Sequence, residues 1–173
     1  MTGPTDLTDR IIALLPRLRR FALTLTRHPD DSDDLVQVSV ERALSRLHRW
    51  NEGTRLDSWM FKIMQNLWID ELRSRRSRGQ VDTDFDLEIL AGSDGRDAMD
   101  LRLTLQDTMA ALMALPEEQR AVMLLVAVEG YSYRDAADVL DVPIGTVMSR
   151  ISRARAALEQ QGRAPFTVVG ALS

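Results

Sequence analysis

Apolar residues recur every three or four positions through most of the chain, which is the spacing of amphipathic helices. In the N-terminal half this pattern predicts three helices, from about Asp6 to Arg27, from about Asp33 to Trp50, and from about Leu56 to Arg76. Turn-forming residues separate them, so the segment predicts a small three-helix bundle. The side chains expected to face the core from the second helix are Val36, Val40, Ala43, Leu44 and Leu47. Trp50 and Trp59 are also assigned to the core.

The C-terminal half shows the same spacing in shorter segments, with predicted helices from about Asp100 to Leu115, from Glu117 to Val128 and from Ser132 to Leu140. Ser132 is a favoured N-cap residue. Pro143 interrupts the pattern, because proline cannot continue a helix, and it suits the first turn of the next one. Two helices joined by a short turn predict a helix-turn-helix. The last helix is expected to bury Ile144, Val147, either Met148 or Ile151, and Ala154.

Composition excludes several classes of site and of protein. The chain has no cysteine, so disulfides, thiol catalysis and cysteine-based zinc sites are excluded. It has only two histidines and no glycine-rich phosphate loop after a strand, which predicts no catalysis, no metal and no cofactor. No apolar run approaches the roughly 20 residues of a membrane span, and the N-terminus lacks the order of a signal peptide. We therefore expect a cytoplasmic protein.

Charge is distributed unevenly, although the net value is only −4. Residues 62–78 carry a net charge of +3, whereas residues 82–107 carry eight carboxylates and two arginines. Since binding follows the local potential, a nucleic-acid partner is compatible with the acidic total. The stretch from Val81 to about Leu101 also breaks the helical period, and it predicts a flexible acidic linker.

The last helix exposes the chemistry of a DNA-binding element. Arginine forks match guanine edges and phosphates, and hydroxyls reach phosphates or bases. The alternative is an amphipathic surface helix with a solvated basic face, but the preceding capped helix and turn favour DNA binding. The candidate DNA contacts are Thr146, Ser149, Arg150, Ser152, Arg153 and Arg155.

Three C-terminal motifs are Leu-Pro-Glu-Glu-Gln-Arg at 115–120, Glu-Gly-Tyr-Ser-Tyr at 129–133, and Gly-Thr-Val-Met-Ser-Arg-Ile-Ser-Arg-Ala-Arg at 145–155. They resemble region 4 of bacterial sigma factors, most closely the extracytoplasmic-function (ECF) group of the sigma-70 family, which keeps only regions 2 and 4. Further motifs at 33–37, 42–43 and 59–73 resemble region 2 of the same family. The run 128–137 is similar to the general-stress subgroup.

The resemblance implies roles for individual residues. The last helix would read the minus-35 promoter element, the third helix would open the minus-10 element, and the second would dock on the clamp helices of the largest subunit of core RNA polymerase. Met148 replaces a basic residue common in relatives, and Val38 replaces a carboxylate. The implied minus-10 contacts are Lys62, Asn66, Asp70, Arg73 and Arg76, and the implied polymerase contacts are Asp34, Gln37, Val38, Glu41 and Arg42.

The fold expected is all-α, with two small helical domains, a three-helix region 2 bundle and a helix-turn-helix region 4, joined by the flexible acidic linker. The expected divisions are region 2 at 6–79, linker at 80–100, region 4 at 101–160 and tail at 161–173. Expected partners are core RNA polymerase, promoter DNA and an anti-sigma factor. A stand-alone helix-turn-helix regulator is the alternative. The linker is either a solubilising tether or a segment whose carboxylates imitate nucleic acid within polymerase.

Overall fold

The structure, a computed structural model, describes residues 4–79 and 110–162, and all regular secondary structure in these ranges is helical. The described residues form two compact units, one built on the first three helices and the other on most of 110–162. This confirms the all-α, two-domain fold. The helices are α1 (Pro4–Thr26), α2 (Pro29–Ser45), α3 (Leu56–Ser77), α4 (Glu117–Met123), α5 (Tyr133–Leu140) and α6 (Ile144–Gln160), with a 3-10 turn at Leu47–Arg49, a π-helical segment at Leu124–Val128 and a helical stretch at 110–114.

The first unit is a bundle in which α1, α2 and α3 pack against one another. The rings of Phe21 and Phe61 lie at its centre with centroids 4.9 Å apart and are fully buried. Ser39 is also fully buried, and its hydroxyl donates to the carbonyl oxygen of Leu35 at 2.6 Å. That bond offsets the cost of placing a polar group in an apolar core.

Two of the ion pairs between the helices of this unit have a largely covered arginine. Nη2 of Arg17 on α1 lies 2.9 Å from Oδ2 of Asp57 on α3. At the opposite end of α3, Nη2 of Arg75 lies 2.9 Å from Oδ2 of Asp31 on α2. Both arginine side chains are largely covered, at 28% and 18% exposed, so these pairs are screened less by solvent than pairs on the open surface.

The carboxylate of Asp57, at the start of α3, accepts hydrogen bonds from several donors. Partial burial alone would raise the pKa of its carboxyl group, but the hydrogen bonds and charge of Arg55, with further hydrogen bonds from Arg17 and the Ser58 N–H, lower it to about 2. A carboxylate whose pKa is lower in the folded state stabilises the fold above its unfolded pKa of 3.8, and that stability is lost as pH falls toward 2.

Asp57→Asn is therefore expected to lower the free energy of unfolding at pH 7 by about 1–2 kcal/mol, after allowance for solvent screening. The difference from wild type should shrink between pH 4 and pH 2, because the wild-type carboxylate becomes protonated there. Urea denaturation followed by circular dichroism measures both effects. Asp33→Asn is the matched control, because its pair with Arg19 is exposed and 3.9 Å long. A difference that stays constant down to pH 2 would contradict this assignment.

The second unit is organised around α4 and its π-helical continuation. Every residue from Arg120 to Val126 is buried, which is typical of a helix surrounded by protein on all sides. Arg120 is only 2% exposed, and its Nη1 donates to the carbonyl oxygen of Leu115 at 2.6 Å. The guanidinium thus ties the start of α4 to the residue that precedes Pro116.

Several sequence predictions were correct and a few were wrong. Trp50 is buried and Trp59 is half-buried, but α2 ends at Ser45 instead of near Trp50, and Leu44 is 42% exposed. The buried line of α2 runs through Leu35, Ser39 and Ala43, so a buried serine hid the true inner face from the apolar pattern. The predicted linker, residues 101–109 and most of the predicted tail lie outside the described residues.

Ile144 was predicted to be buried, but it is 47% exposed. The buried line of α6 begins one turn later and consists of Val147, Ile151, Ala154 and Leu158. Ile144 lies beyond the end of that line, at the first position of the helix. Pro143 also lies just outside α6, as its N-cap residue, and not in its first turn.

Candidate functional site

The turn between α5 and α6 sets the direction of α6. The hydroxyl of Ser132 accepts the N–H of Asp135 at 3.1 Å, which confirms the predicted N-cap of α5. Asp141 adopts a φ of 54°, in the left-handed region that asparagine and aspartate tolerate, and it redirects the chain. The carbonyl oxygen of Pro143 then accepts the first N–H of α6, from Thr146 at 2.9 Å. The sequence therefore forms the predicted helix-turn-helix.

Of the six predicted DNA contacts, Thr146, Ser149, Arg150 and Arg153 follow the three- and four-residue spacing of one face of α6, which we call its outer face. Ser152 and Arg155 lie beside it and line a cavity with Tyr133. The six residues differ in accessibility. Ser152 and Arg153 are exposed, whereas Thr146, Ser149 and Arg155 are half-buried. The hydroxyl of Ser149 donates to the carbonyl oxygen of Thr146 at 3.0 Å, which leaves its oxygen free to accept. Arg153 is thus the arginine that α6 presents most openly.

Arg150 and Arg155 are both less exposed than Arg153. Nη2 of Arg150 lies 3.0 Å from Oε2 of Glu118 on α4, and the arginine side chain is 17% exposed. The Nε atom of Arg155 is buried and has no hydrogen-bond partner within the described ranges. Arg155 lines a cavity of about 400 Å³ together with Tyr133 and Met148. Sequence reasoning did not predict the partner of Arg150, because Glu118 lies 32 positions earlier.

On α3, the predicted minus-10 residues share the outer face of the helix. All five are exposed, and Nη1 of Arg73 lies 3.6 Å from Oδ1 of Asp70. The spacing of three or four positions aligns their side chains along one stripe. We call this set, Lys62, Asn66, Asp70, Arg73 and Arg76, the α3 stripe.

The arginines in the last turns of α3, which include two members of the α3 stripe, are of two kinds. Arg75 turns inward, where it contacts Asp31, pairs with Glu71 at 2.8 Å and lies over the ring of Trp68 at 5.5 Å. Trp68 itself is only 3% exposed, so it belongs to the core and is not available for stacking on a base. Arg73 and Arg76 remain exposed.

The predicted polymerase-binding residues lie on the outer face of α2, and all of them are exposed. Nε2 of Gln37 donates to Oε1 of Glu41 at 3.1 Å. Val38, 44% exposed, places an apolar side chain within this otherwise charged surface. We call this set, Asp34, Gln37, Val38, Glu41 and Arg42, the α2 stripe.

A cleft of about 430 Å³ lies between α2 and α3. Asp34, Val38 and Arg42 of the α2 stripe line one side, and Asp70 of the α3 stripe lines the other. Its remaining lining includes Leu35, Leu67 and Trp68, so charged edges surround an apolar base. The resemblance to region 2 implied the members of each stripe, but it did not predict this cleft, because the distance between two helices is a tertiary property.

The described ranges offer neither a cluster of potential metal ligands nor a membrane-spanning helix. Within residues 4–79 and 110–162, no group of three or more histidine, aspartate or glutamate side chains is placed to hold a metal ion. No helix in these ranges is long and apolar enough to cross a membrane.

The chain matches two protein-family models. Residues 11–78 match the model of Sigma-70 region 2, and residues 105–158 match that of Sigma-70, region 4. The first match contains α2, α3 and both of their stripes, and the second contains the helix-turn-helix. Together they include every residue predicted to contact DNA or polymerase.

Curated relatives and solved structures agree with these matches. The chain is 37% identical to the ECF RNA polymerase sigma factor EcfG of Rhodopseudomonas palustris, over 88% of this chain and 83% of that protein. It is 32% identical to the ECF RNA polymerase sigma factor SigM of Mycobacterium tuberculosis, over 82% of this chain and 69% of that protein.

Among solved structures, it resembles the sigma factor RpoE in complex with the anti-sigma factor NepR from Bartonella quintana, with a TM-score of 0.75, 32% identity and coverage of 90% of this chain and 95% of that one. It also resembles CnrH in complex with the cytosolic domain of CnrY, with a TM-score of 0.64, 25% identity and coverage of 92% and 88%. The chain belongs to the ECF group of the sigma-70 family, the transcription initiation factors that bind core RNA polymerase and direct it to promoters.

Proposed function

We propose that the three exposed faces divide the work of promoter recognition. The outer face of α6 contacts the minus-35 element, the α3 stripe opens the minus-10 element, and the α2 stripe docks on the clamp helices of the largest polymerase subunit. The observation that supports this most directly is that the α2 stripe and the α3 stripe each lie on one side of one helix, and that four of the six contacts predicted on α6 share its outer face, with their side chains exposed or half-buried. The corresponding domains are 6–79 and 101–160, with a linker at 80–100 and a tail at 161–173.

Recognition by two tethered units explains how two small interfaces can bind a promoter specifically. Each helical unit offers one helix face, which alone gives modest affinity. When one unit is bound, the tether raises the effective concentration of the other at its own DNA element, so that the two affinities reinforce each other. Start-site selection then requires both elements at the correct separation.

The α3 stripe has the chemistry that strand opening needs. Lys62, Arg73 and Arg76 supply cations for the phosphates of separated strands. Asn66 offers both a donor and an acceptor to the edge of an everted base. Asp70 lowers the local positive charge, and its pairing with Arg73 orients that guanidinium. A stand-alone regulator would have no use for this second face, and membership of the sigma-70 family argues against that alternative.

Polymerase docking is tested with Val38→Lys. The substitution is expected to weaken binding of core RNA polymerase by at least about tenfold, because an unpaired ammonium group buried in an interface costs about 1.4 kcal/mol or more. Leu44→Lys is the matched control, since Leu44 is similarly exposed on α2 but lies outside the α2 stripe. Binding is measured by fluorescence anisotropy of the labelled chain. Equal losses of affinity in both variants would place the docking surface elsewhere.

We further propose that the chain has an anti-sigma partner, which the complexes of RpoE with NepR and of CnrH with CnrY support. The chain itself catalyses no reaction, since polymerase forms the phosphodiester bonds, and it acts in the cytoplasm, where polymerase meets the chromosome. Mixing the purified chain with core polymerase and mapping transcript starts tests the whole assignment. A lack of both association and start-site selection would refute it.

A further inference from the structure

Arg150 is held by a partner on another helix, unlike its neighbour Arg153. Nη2 of Arg150 lies 3.0 Å from Oε2 of Glu118, and only 17% of the Arg150 side chain is exposed. Arg153, one helical turn away, is exposed. The pair joins α4 to α6, the two helices that pack together in the second unit. Within one recognition helix, one arginine is therefore restrained and the other is open.

The backbone that carries Glu118 is firmly anchored. The carbonyl oxygen of Pro116 accepts the N–H groups of Gln119 and Arg120, at 2.9 and 3.0 Å. The buried guanidinium of Arg120 also bonds the carbonyl oxygen of Leu115. Glu118 thus projects from a fixed first turn of α4 toward α6. Its own side chain is 70% exposed, and a pair with one such exposed member contributes little to stability.

The ion pair occupies part of the donor capacity of Arg150. A guanidinium carries five N–H donors in a planar fork, and the Glu118 carboxylate uses the Nη2 end. A long side chain that is already restrained loses less conformational freedom when it binds a ligand. We propose that Glu118 is a positioning residue, which holds Arg150 so that its remaining donors meet a base edge of the minus-35 element. This inference rests on the assignment of α6 to that element.

A carboxylate beside DNA also has an opposite effect, because it repels phosphates whatever the sequence. Affinity alone therefore cannot separate positioning from simple repulsion. The ratio of affinities for a matched promoter and for one with a scrambled minus-35 element does separate them. Repulsion acts on both DNAs, whereas a contact with a base edge forms only on the matched one.

The test compares Glu118→Gln holoenzyme with wild type on these two promoters. The substitution is expected to lower the affinity ratio about three- to tenfold, because Arg150 must then be ordered on binding. Asp138→Asn, which removes an exposed carboxylate of α5, is the charge-matched control and should leave the ratio unchanged. Thermal unfolding of each variant checks that the fold is intact.

A double-mutant cycle completes the test. In an Arg150→Ala background, Glu118→Gln should cause no further decrease of the ratio, since the group that it positions is gone. An unchanged ratio in Glu118→Gln, or full additivity with Arg150→Ala, would overturn the proposal. If Arg150→Ala has no effect while Arg153→Ala weakens binding, the positioning role fails but α6 remains the minus-35 helix. If neither arginine matters, the assignment of α6 itself fails.

Discussion

Arg153→Ala is expected to weaken binding of a matched promoter by the holoenzyme by about tenfold or more, corresponding to about 1–3 kcal/mol for the removal of one bidentate interaction. Arg153 is exposed on the outer face of α6, so its fork can reach a base edge or a phosphate without breaking an internal bond. Arg150→Ala should also weaken binding. If the substituted arginine neutralises one phosphate, the slope of log affinity against log salt should become shallower by about 0.9.

Binding measured at several salt concentrations separates the two kinds of interaction. A base contact would relax the sequence preference at one position of the minus-35 element, whereas a phosphate contact would change mainly the salt slope. Arg49→Ala is a suitable control, because it removes an exposed arginine from the 3-10 turn of the other unit. Unchanged binding in both Arg150→Ala and Arg153→Ala would show that α6 is not the recognition helix.

Asn66→Ala is expected to spare association with the promoter and yet impair strand opening. The exposed amide of Asn66 can hold a base only after that base has left the duplex, so its removal affects the open complex and not the initial one. Permanganate reactivity of thymines in the minus-10 element should fall roughly tenfold, the equivalent of one bidentate interaction with a base.

Gln160→Ala provides the matched control for this experiment, since Gln160 is an exposed amide on α6, outside the α3 stripe. Its permanganate pattern should equal that of wild type. Unaltered reactivity in Asn66→Ala would remove Asn66 from the opening step, while leaving the cationic members of the α3 stripe to be tested one by one.

The helices and their faces could be predicted from the sequence because periodicity is a local property. The spacing of apolar residues predicted the three helices of the first unit, and Ser132 and Pro143 identified the turn of the helix-turn-helix. The spacing of apolar residues did not predict which polar residues are buried. Ser39 and Arg120 lie in the core because each finds a carbonyl acceptor nearby, and hydropathy does not report such acceptors.

Partners distant in the sequence could not be predicted either. Arg75 belongs to a run of arginines, and such a run favours side chains that are all solvated or all in contact with DNA. Its partners nevertheless include Asp31, 44 positions earlier. The pairing of Arg150 with Glu118 is of the same kind. Whether an arginine is exposed or paired depends on how closely two helices approach each other. The distance between helices cannot be read from a single sequence.

The inward arginine of α3 also has a mechanical consequence. Because Arg75 grips Asp31 on α2 while it lies over Trp68 on its own helix, α2 and the C-terminal turns of α3 cannot shift independently without breaking that link. We therefore expect the Arg75–Asp31 ion pair to resist any displacement of α2 relative to the C-terminal turns of α3 when α2 engages a larger body.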